Sequence, residues 1–277
     1  MTASADRPYP PFELASRVRP LDEFSDPIAA YEEMGRQMKE ALVGLLPDSW
    51  SFDGKRVLDF GCGGGEGTAA MAARAASVLG VDVAEEAVAY ARERNGGLNI
   101  AYEVIADGVP RPDASFDAVC SFQVLEHVAD PDAYLAEARR LLASGGELLL
   151  ATPDRRTRLL RRQQPWNRWH LREWDPDGLA RLLGRHFGDV EVLTMSGRRD
   201  VLDLELRRTR RLRWVTLPLT LPGMPERVRV AGLEALFRMK ASRAASGPPA
   251  AGFGFDESAL TIAPGAWPSV NLVAIAR

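Results

Sequence analysis

The chain has 277 residues with a formal net charge of −3 at pH 7, and 46% of them are hydrophobic, which is ordinary for a globular protein. Its 2 cysteines, Cys62 and Cys120, form no Cys-x-x-Cys pair, so the sequence indicates neither a disulfide framework nor a structural zinc site. Neither a signal peptide nor a membrane span is evident, and we expect a cytoplasmic protein.

The predicted elements begin with a proline-rich arm at residues 1–26, followed by a helix with Asp26 as N-cap and Pro27 in its first turn. Strand-like and helical runs then alternate. The strand-like runs are RVLDF, SVLGVD, NIAYEVIA, FDAVCSF, GELLLAT, DVEVLTM and SVNLVAIA, and the helical ones are Glu66–Ala76, Ala84–Arg94, Asp130–Leu142 and Asp175–His186. This alternation predicts a doubly wound, Rossmann-like α/β fold with a mostly parallel seven-stranded sheet.

A long segment separates the last two predicted strands. Structureless connections of this length are rare inside a compact domain, so residues 197–266 are predicted to form an inserted substrate or cap subdomain. The core domain then covers residues 27–196, and residues 267–277 return as the final core strand.

The run VLDFGCGGGEGT places five glycines between positions 61 and 67, directly after the first predicted strand. In a doubly wound sheet this loop lies at the ligand crevice. Glycine lets the backbone approach a ligand closely and adopt positive φ, and the free N–H groups of the following helix suit a carboxylate or phosphate.

The usual phosphate ligands do not fit the loop. The dinucleotide pattern G-x-G-x-x-G needs a glycine where Glu66 or Thr68 stands, and no G-K-[ST] follows for a Walker loop. A nucleoside ligand with a carboxylate tail remains, and S-adenosylmethionine fits. Asp82, at the end of SVLGVD, is placed to accept hydrogen bonds from its ribose hydroxyls.

Four motifs in register carry a family resemblance over about residues 50–195: VLDFGCGGGEGT, VLGVDVAEEAVAYAR, IADGVPRPDASFDAVCSFQVLEHVADP and EARRLLASGGELLLATP. Together they resemble the class I S-adenosylmethionine-dependent methyltransferases, in particular the branch of the ubiquinone-biosynthesis O-methyltransferases. The resemblance implies that the protein binds S-adenosylmethionine and transfers its methyl group. The expected acceptor is a hydroxyl oxygen of a sugar, lipid-linked or natural-product molecule.

The resemblance also implies a set of cofactor-binding residues. Around the methionine moiety and the methyl group these are Asp59, Gly61, Gly63, Gly65, Phe122 and Gln123. Around the ribose and adenine they are Asp82, Val83, Ala106, Asp107 and Gly108.

A histidine follows the fourth predicted strand in FQVLEHV. The related ubiquinone enzymes show a Glu-x-x-Glu-His pattern that implies a divalent metal, but Gln123 replaces the first glutamate here, so no metal is predicted. His127 is then a candidate general base for the acceptor hydroxyl, since an imidazole titrates near neutral pH. The alternative is that His127 only fixes the loop and that catalysis depends on proximity and orientation.

The segment QQPWNRWHLREW is predicted to arch over the active site after the fifth strand. It carries His170 as a second catalytic candidate. Four of its side chains are candidates for gripping a ring or sugar, namely Trp166, Trp169, Arg172 and Glu173. The alternative is that the tryptophans pack this lid onto the next helix, near whose end His186 is expected to act as a cap.

Charge is unevenly distributed along the chain. Residues 1–153 carry a net charge of −12, whereas residues 154–277 carry +9. The arginine-rich runs PDRRTRLLRRQQ and RRTRRLRW therefore suggest an acidic or glycosylated acceptor, an anionic membrane surface, or simply a solvated face, and a homodimer is also compatible.

Two other functions compete with small-molecule methylation. A nucleic-acid methyltransferase is suggested by the basic second half, but SFQVLEHV lacks the [DNS]-P-P-[FY] pattern of amino-methylating enzymes, so no nucleic-acid partner is predicted. A non-catalytic S-adenosylmethionine-binding scaffold is the other alternative.

Overall fold

A computed structural model describes residues 43–45, 50–106, 108–244 and 260–277. The predicted N-terminal arm, most of the predicted first helix, and Asp107 lie outside the described residues. The strands are β1 (Arg56–Phe60), β2 (Ser77–Asp82), β3 (Ile100–Val104), β4 (Phe116–Phe122), β5 (Leu142–Pro153), β6 (Val190–Gly197), β7 (Leu260–Ala263) and β8 (Asn271–Ala276). The helices are α1 (Glu66–Ala72), α2 (Glu85–Arg94), α3 (Pro131–Leu141), α4 (Arg155–Arg158), α5 (Pro176–Leu183), α6 (Arg199–Val215) and α7 (Glu226–Ala244).

The strands form one mixed sheet in the order β3-β2-β1-β4-β5-β8-β6-β7. The first five neighbours in that order pair in parallel, whereas β8 runs antiparallel to both β5 and β6. The strand order reverses beside β1, so the carboxyl ends of β1 and β4 open onto the crevice where such sheets bind ligands. The predicted doubly wound, mostly parallel α/β fold is confirmed.

The prediction of seven strands was one too low. The eighth strand is β7, which pairs antiparallel with the edge of β6, from Thr194 opposite Ala263 to Gly197 opposite Leu260. A four-residue strand at a sheet edge carries too little apolar periodicity to be recognised in the sequence.

Apolar side chains cover both faces of the sheet, because successive residues of a strand point to opposite sides. On one face Leu58 and Phe60 pack with residues of α3 and α5. On the other face Val57 packs with Met71 of α1 and Leu202 of α6. The buried runs of β1 and β4 thus fix the position of the loops that follow them.

Between β6 and β7 the chain forms α6, a 3-10 turn at Leu217–Leu219, and α7. We call residues 199–244 the helical segment. Leu212 of α6 is buried with Leu159 and Trp166, and Phe237 of α7 packs against this cluster. The helical segment therefore packs on the chain that follows β5. Among the described residues, no helix is sufficiently long and apolar to cross a bilayer.

Candidate active site

The glycine loop follows β1 and leads directly into α1. Gly61, Gly63 and Gly65 have φ of +94°, +54° and +85°, where residues with a Cβ are strained. At position 61 a Cβ would also lie 2.4 Å from Cγ2 of Val124. The first glycine is therefore required by the close approach of the loop after β4, which brings the two loops together at the crevice.

Two carboxylates flank this loop. Asp59 is buried at the end of β1 and accepts a hydrogen bond from Oγ1 of Thr68 at 2.6 Å. Asp82 ends β2 and accepts from the backbone N–H of Gly63 at 2.9 Å and of Ala84 at 3.0 Å. A carboxylate offers about four acceptor positions, so Asp82 retains capacity for two ribose hydroxyls while it holds the loop in place.

The predicted adenine side of the pocket is described only in part. Val83 is 56% exposed directly after β2, which is unusual for a valine and leaves an apolar surface beside Asp82. Ala106 is exposed and Gly108 is half-buried at the end of β3, on either side of the undescribed position 107. Val83 and the described residues Ala106 and Gly108 thus follow the neighbouring ends of β2 and β3, where Asp82 pairs with Val104.

Phe122 ends β4, and Gln123 follows it. Phe122 is buried, and a Cβ at Gly67 would lie 3.7 Å from its ring and 3.6 Å from Oδ2 of Asp59. Gln123 has a φ of +58°, and its Nε2 donates to Oδ1 of Asn271 at 3.3 Å. This amide therefore points toward β8 and ties the loop after β4 to the start of that strand.

Beyond Gln123, three side chains form what we call the carboxylate–histidine cluster: Glu126, His127 and His170. One potential ligand atom from each lies within 4.8 Å of the others. The two imidazole rings meet edge to face, with centroids 4.8 Å apart. The backbone N–H of Leu171 donates to the carbonyl of Glu126 at 2.9 Å, so the segment after β5 is fastened to the loop after β4.

Hydrogen bonds orient each member of the cluster. Oε2 of Glu126 accepts from Oγ1 of Thr152 at 2.9 Å. Nδ1 of His127 lies 2.9 Å from the carbonyl of Trp169, and Nδ1 of His170 lies 2.7 Å from Oε1 of Glu173. Hydrogen bonds from the end of β5 and from the lid therefore orient the members of the cluster.

Burial dominates the electrostatics of the cluster. It raises the pKa of Glu126 and lowers the pKa of His170, in each case because the charged form loses its hydration. Burial also opposes ionisation of Glu173, but Arg158 and His170 outweigh it and hold the pKa of Glu173 below its ordinary value. Glu173 is thus a buried carboxylate, and the imidazole of His170 beside it is neutral at pH 7.

The predicted substrate-binding residues of the lid lie in different environments. Trp166 is 2% exposed, and its Nε1 donates to the backbone carbonyl of Arg158 at 3.1 Å. The guanidinium of Arg158 lies over the ring of Trp166. Trp169 is half-buried with Arg168 over its ring, and Arg172 is exposed and donates to the carbonyl of Ala129 at 2.9 Å. Trp166 therefore contributes packing, whereas Trp169 lies beside the cluster.

Glu173 joins the lid to a buried ionic network. Its two oxygens each lie 3.1 Å from Nε of Arg158, and Arg158 also approaches Glu205 of α6 at 3.5 Å. Arg208 completes the network at 3.0 Å from Glu205. The network thus links His170 to the helical segment through buried charges.

A second buried arginine, which sequence reasoning did not single out, holds the same loop. Arg229 of α7 is fully buried and donates to the carbonyls of Pro165 at 2.7 Å, Asn167 at 3.1 Å and His170 at 3.1 Å. It also pairs with Glu226. The only sequence signal was its place among small and apolar neighbours in RVRVAGL, since composition does not tell a buried arginine from a solvated one.

His186 lies away from these groups. Its Nε2 is 2.9 Å from Oδ1 of Asp132, an acidic residue in the first turn of α3. The structure therefore brings two of the three histidines together at the crevice, and the third joins the chain after α5 to α3.

Comparison with known proteins shows which family this chain resembles. A family model described as a methyltransferase domain matches residues 58–150. A ubiquinone biosynthesis O-methyltransferase of Cereibacter sphaeroides is 33% identical over 183 residues, which are 64% of this chain and 70% of that protein. A probable S-adenosylmethionine-dependent methyltransferase of Mycolicibacterium smegmatis is 40% identical over 138 residues, which are 50% of this chain and 53% of that protein.

The chain spans about half the length of the first curated relatives it matches. Among solved structures, an S-adenosylmethionine-dependent methyltransferase of Thermotoga maritima, described as a possible histamine N-methyltransferase, aligns with a TM-score of 0.52. It is 16% identical, and the alignment covers 91% of this chain and 97% of that one. At this identity the likeness supports the fold alone.

Proposed function

The chain belongs to the class I S-adenosylmethionine-dependent methyltransferases, and on that premise we propose that it transfers the methyl group to a hydroxyl oxygen of a small-molecule acceptor. S-adenosylmethionine binds at the loop after β1. In our proposal Asp82 accepts from the ribose hydroxyls, and Phe122 lines the methionine side.

The carboxylate–histidine cluster is the observation that supports transfer to an oxygen atom. A hydroxyl must lose its proton during transfer, and groups held within hydrogen-bond reach of that proton are the means to remove it. Glu126 and His127 stand three and four residues beyond Gln123 at the crevice, and His170 closes against them. We therefore assign His127 and His170 to the acceptor hydroxyl and Glu173 to the positioning of His170.

The surface of the helical segment supports an acidic or lipid-linked acceptor. Residues 207–228, which we call the basic segment, contain six arginines and one acidic residue. Trp214 is 58% exposed on this segment, and Leu221 is 46% exposed. The segment adjoins the lid, because the N–H of Gln164 donates to the carbonyl of Thr220 at 2.9 Å. The helical segment is then the part of the molecule that meets the acceptor, and an anionic membrane surface fits the same side chains.

The experiment supplies S-adenosylmethionine labelled with 13C in the methyl group to the purified protein. Acceptors are offered as matched sets of phenols, sugars and lipid-linked alcohols with their amine analogues. We expect S-adenosylhomocysteine to form with hydroxyl acceptors and the 13C shift of the product to identify a methyl ether. Methylation of the amine members alone would refute oxygen transfer, and tight cofactor binding without turnover on any set would favour the scaffold alternative.

A further inference from the structure

The carboxylate–histidine cluster contains an unsatisfied buried atom. Oε1 of Glu126 has no hydrogen-bond partner among the described residues, although the side chain is fully buried and its other oxygen is held by Thr152. Burying a carboxylate oxygen without a partner costs free energy. A cation bound between this oxygen and the two imidazoles removes that cost.

The two imidazoles are prepared for such a role by their hydrogen bonds. The carbonyl of Trp169 can only accept, so Nδ1 of His127 carries the proton and Nε2 carries the lone pair. The carboxylate of Glu173 fixes His170 in the same tautomer. Histidines that bind metals are oriented in this way, by a bond from the other ring nitrogen to a carbonyl or carboxylate.

The support behind His170 is itself rigid. Both oxygens of Glu173 are held by Nε of Arg158, and both side chains are buried. The lone pair of His170 therefore has a direction that the surrounding packing fixes.

We propose that Glu126, His127 and His170 bind one divalent transition-metal ion in preference to Mg²⁺, and Co²⁺ and Zn²⁺ are the probe ions. Their ligand atoms lie within 4.8 Å of one another, and bonds of about 2.1 Å require the three side chains to close further on binding. Two imidazole nitrogens and one carboxylate suit such an ion, whereas Mg²⁺ prefers oxygen ligands.

The proposal replaces the expectation that Gln123 excludes a metal. The side chain of Gln123 donates to Asn271 and is not a ligand. The third ligand is His170 from the lid, a residue that lies outside the Glu-x-x-Glu-His pattern. The inference deepens the proposed function and changes one role in it. With the ion bound, the lone pairs of His127 and His170 are ligands, so these residues hold the ion beside the acceptor hydroxyl and do not themselves take its proton. A bound cation supplies positive charge that favours the ionised form of an adjacent hydroxyl.

The methyl transfer itself then balances without any further reactant. The hydroxyl proton leaves to solvent, and an electron pair of the oxygen forms the bond to the methyl carbon. The carbon–sulfur bond breaks with its electron pair going to sulfur. The products are the methyl ether and S-adenosylhomocysteine.

Metal binding is tested on tag-free, chelator-treated protein without any acceptor. Co²⁺ is titrated and followed by its visible absorption, and Zn²⁺ and Mg²⁺ then compete. We expect one equivalent of Co²⁺ to bind, Zn²⁺ to displace it and excess Mg²⁺ to leave it in place. Absence of a stoichiometric Co²⁺ spectrum, or displacement by Mg²⁺, would overturn the proposal.

Variants locate the ion. His170→Gln and Glu126→Gln are expected to abolish the Co²⁺ spectrum, and Glu173→Gln to weaken binding by about 10- to 100-fold. His186→Gln is the matched control and retains full binding, because His186 contacts Asp132 instead. Calorimetry with S-adenosylmethionine confirms that each variant is folded, and His127→Gln substitutes for any that is not.

Two outcomes separate this proposal from the proposed function. Methyl transfer to a hydroxyl by protein that binds no Co²⁺ or Zn²⁺ would overturn the metal site and leave the proposed function standing. Equal loss of the Co²⁺ spectrum in His186→Gln would also overturn the assigned ligands. A stoichiometric site with no turnover on any hydroxyl acceptor would support the metal and refute the function.

Discussion

Replacement of Arg229 by methionine tests whether the helical segment holds the lid in its working position. The guanidinium donates to the carbonyls of Pro165, Asn167 and His170, and it is fully buried. Methionine keeps much of the volume but donates nothing, so three carbonyls lose their donor. We expect lower stability, a reduced kcat, and unchanged affinity for S-adenosylmethionine, since none of these contacts reaches the glycine loop.

The size of the stability loss follows from the burial of the contacts. Removing one partner of a buried charged pair costs about 3–5 kcal/mol. The other partner here, Glu226, is 43% exposed and can be hydrated, so we expect the lower end, about 3 kcal/mol. With an unfolding entropy of about 2.1 cal/mol/K per residue, a chain of 277 residues loses about 5 °C in Tm.

The assay compares Arg229→Met with Arg227→Met, which changes an exposed arginine two positions earlier on α7. Thermal unfolding and calorimetric titration of S-adenosylmethionine are measured for both, and the kcat of Arg229→Met is compared with that of the parent protein, because Arg227 lies in the basic segment. Arg229→Lys is expected to recover only part of the activity, because an ammonium cannot reach three carbonyls in the fork geometry of a guanidinium. A Tm equal to that of the Arg227 variant would refute the role of Arg229 in holding the lid. A weaker affinity for S-adenosylmethionine would show that the effect of Arg229 extends to the glycine loop.

Three further predictions concern the cofactor loop and the acceptor surface. Asp82→Ala should weaken S-adenosylmethionine binding by about 1–3 kcal/mol in calorimetry, because the ribose hydroxyls and the N–H of the loop lose a charged acceptor, and unchanged affinity would remove Asp82 from the site. Gly61→Ala should lower Tm, and adding Val124→Ala should restore only part of it, since the contact at 2.4 Å is relieved but the φ of +94° is not; full restoration would show that backbone strain is negligible there. Arg211→Glu with Trp214→Ala should reduce sedimentation with anionic phosphatidylglycerol vesicles while leaving the cofactor affinity unchanged, and equal sedimentation of variant and parent would rule out a membrane role for the basic segment.

The parts of the fold that were predictable from sequence are those with local signals. RVLDF, SVLGVD and FDAVCSF match β1, β2 and β4 residue for residue, because each is a short apolar run bounded by polar or glycine residues. Asp130 and Asp175 accept hydrogen bonds from backbone N–H groups at the starts of α3 and α5, as N-cap residues before proline do.

The parts that were not predictable depend on contacts between distant positions. His127 and His170 were each candidates by residue type, but nothing in the sequence places their rings 4.8 Å apart. Arg158 stands in an arginine-rich run that reads as a solvated face, yet it is buried against Glu173. Which arginine of a run turns inward is decided by the tertiary packing of Trp166 and α6, and composition does not record that.

The position of β8 in the sheet has a consequence for how the chain reaches its fold. Thr152 pairs with Leu272, 120 positions later, and Leu272 also pairs with Thr194, so β5 and β6 become neighbours of one sheet only through β8. During synthesis both strands must therefore wait with an open edge until residues 271–276 leave the ribosome. Open apolar edges are where incomplete chains associate with one another. We expect chains that stop before β8 to be captured by chaperones or to aggregate, even though every group of the candidate active site except Asn271 has already been made.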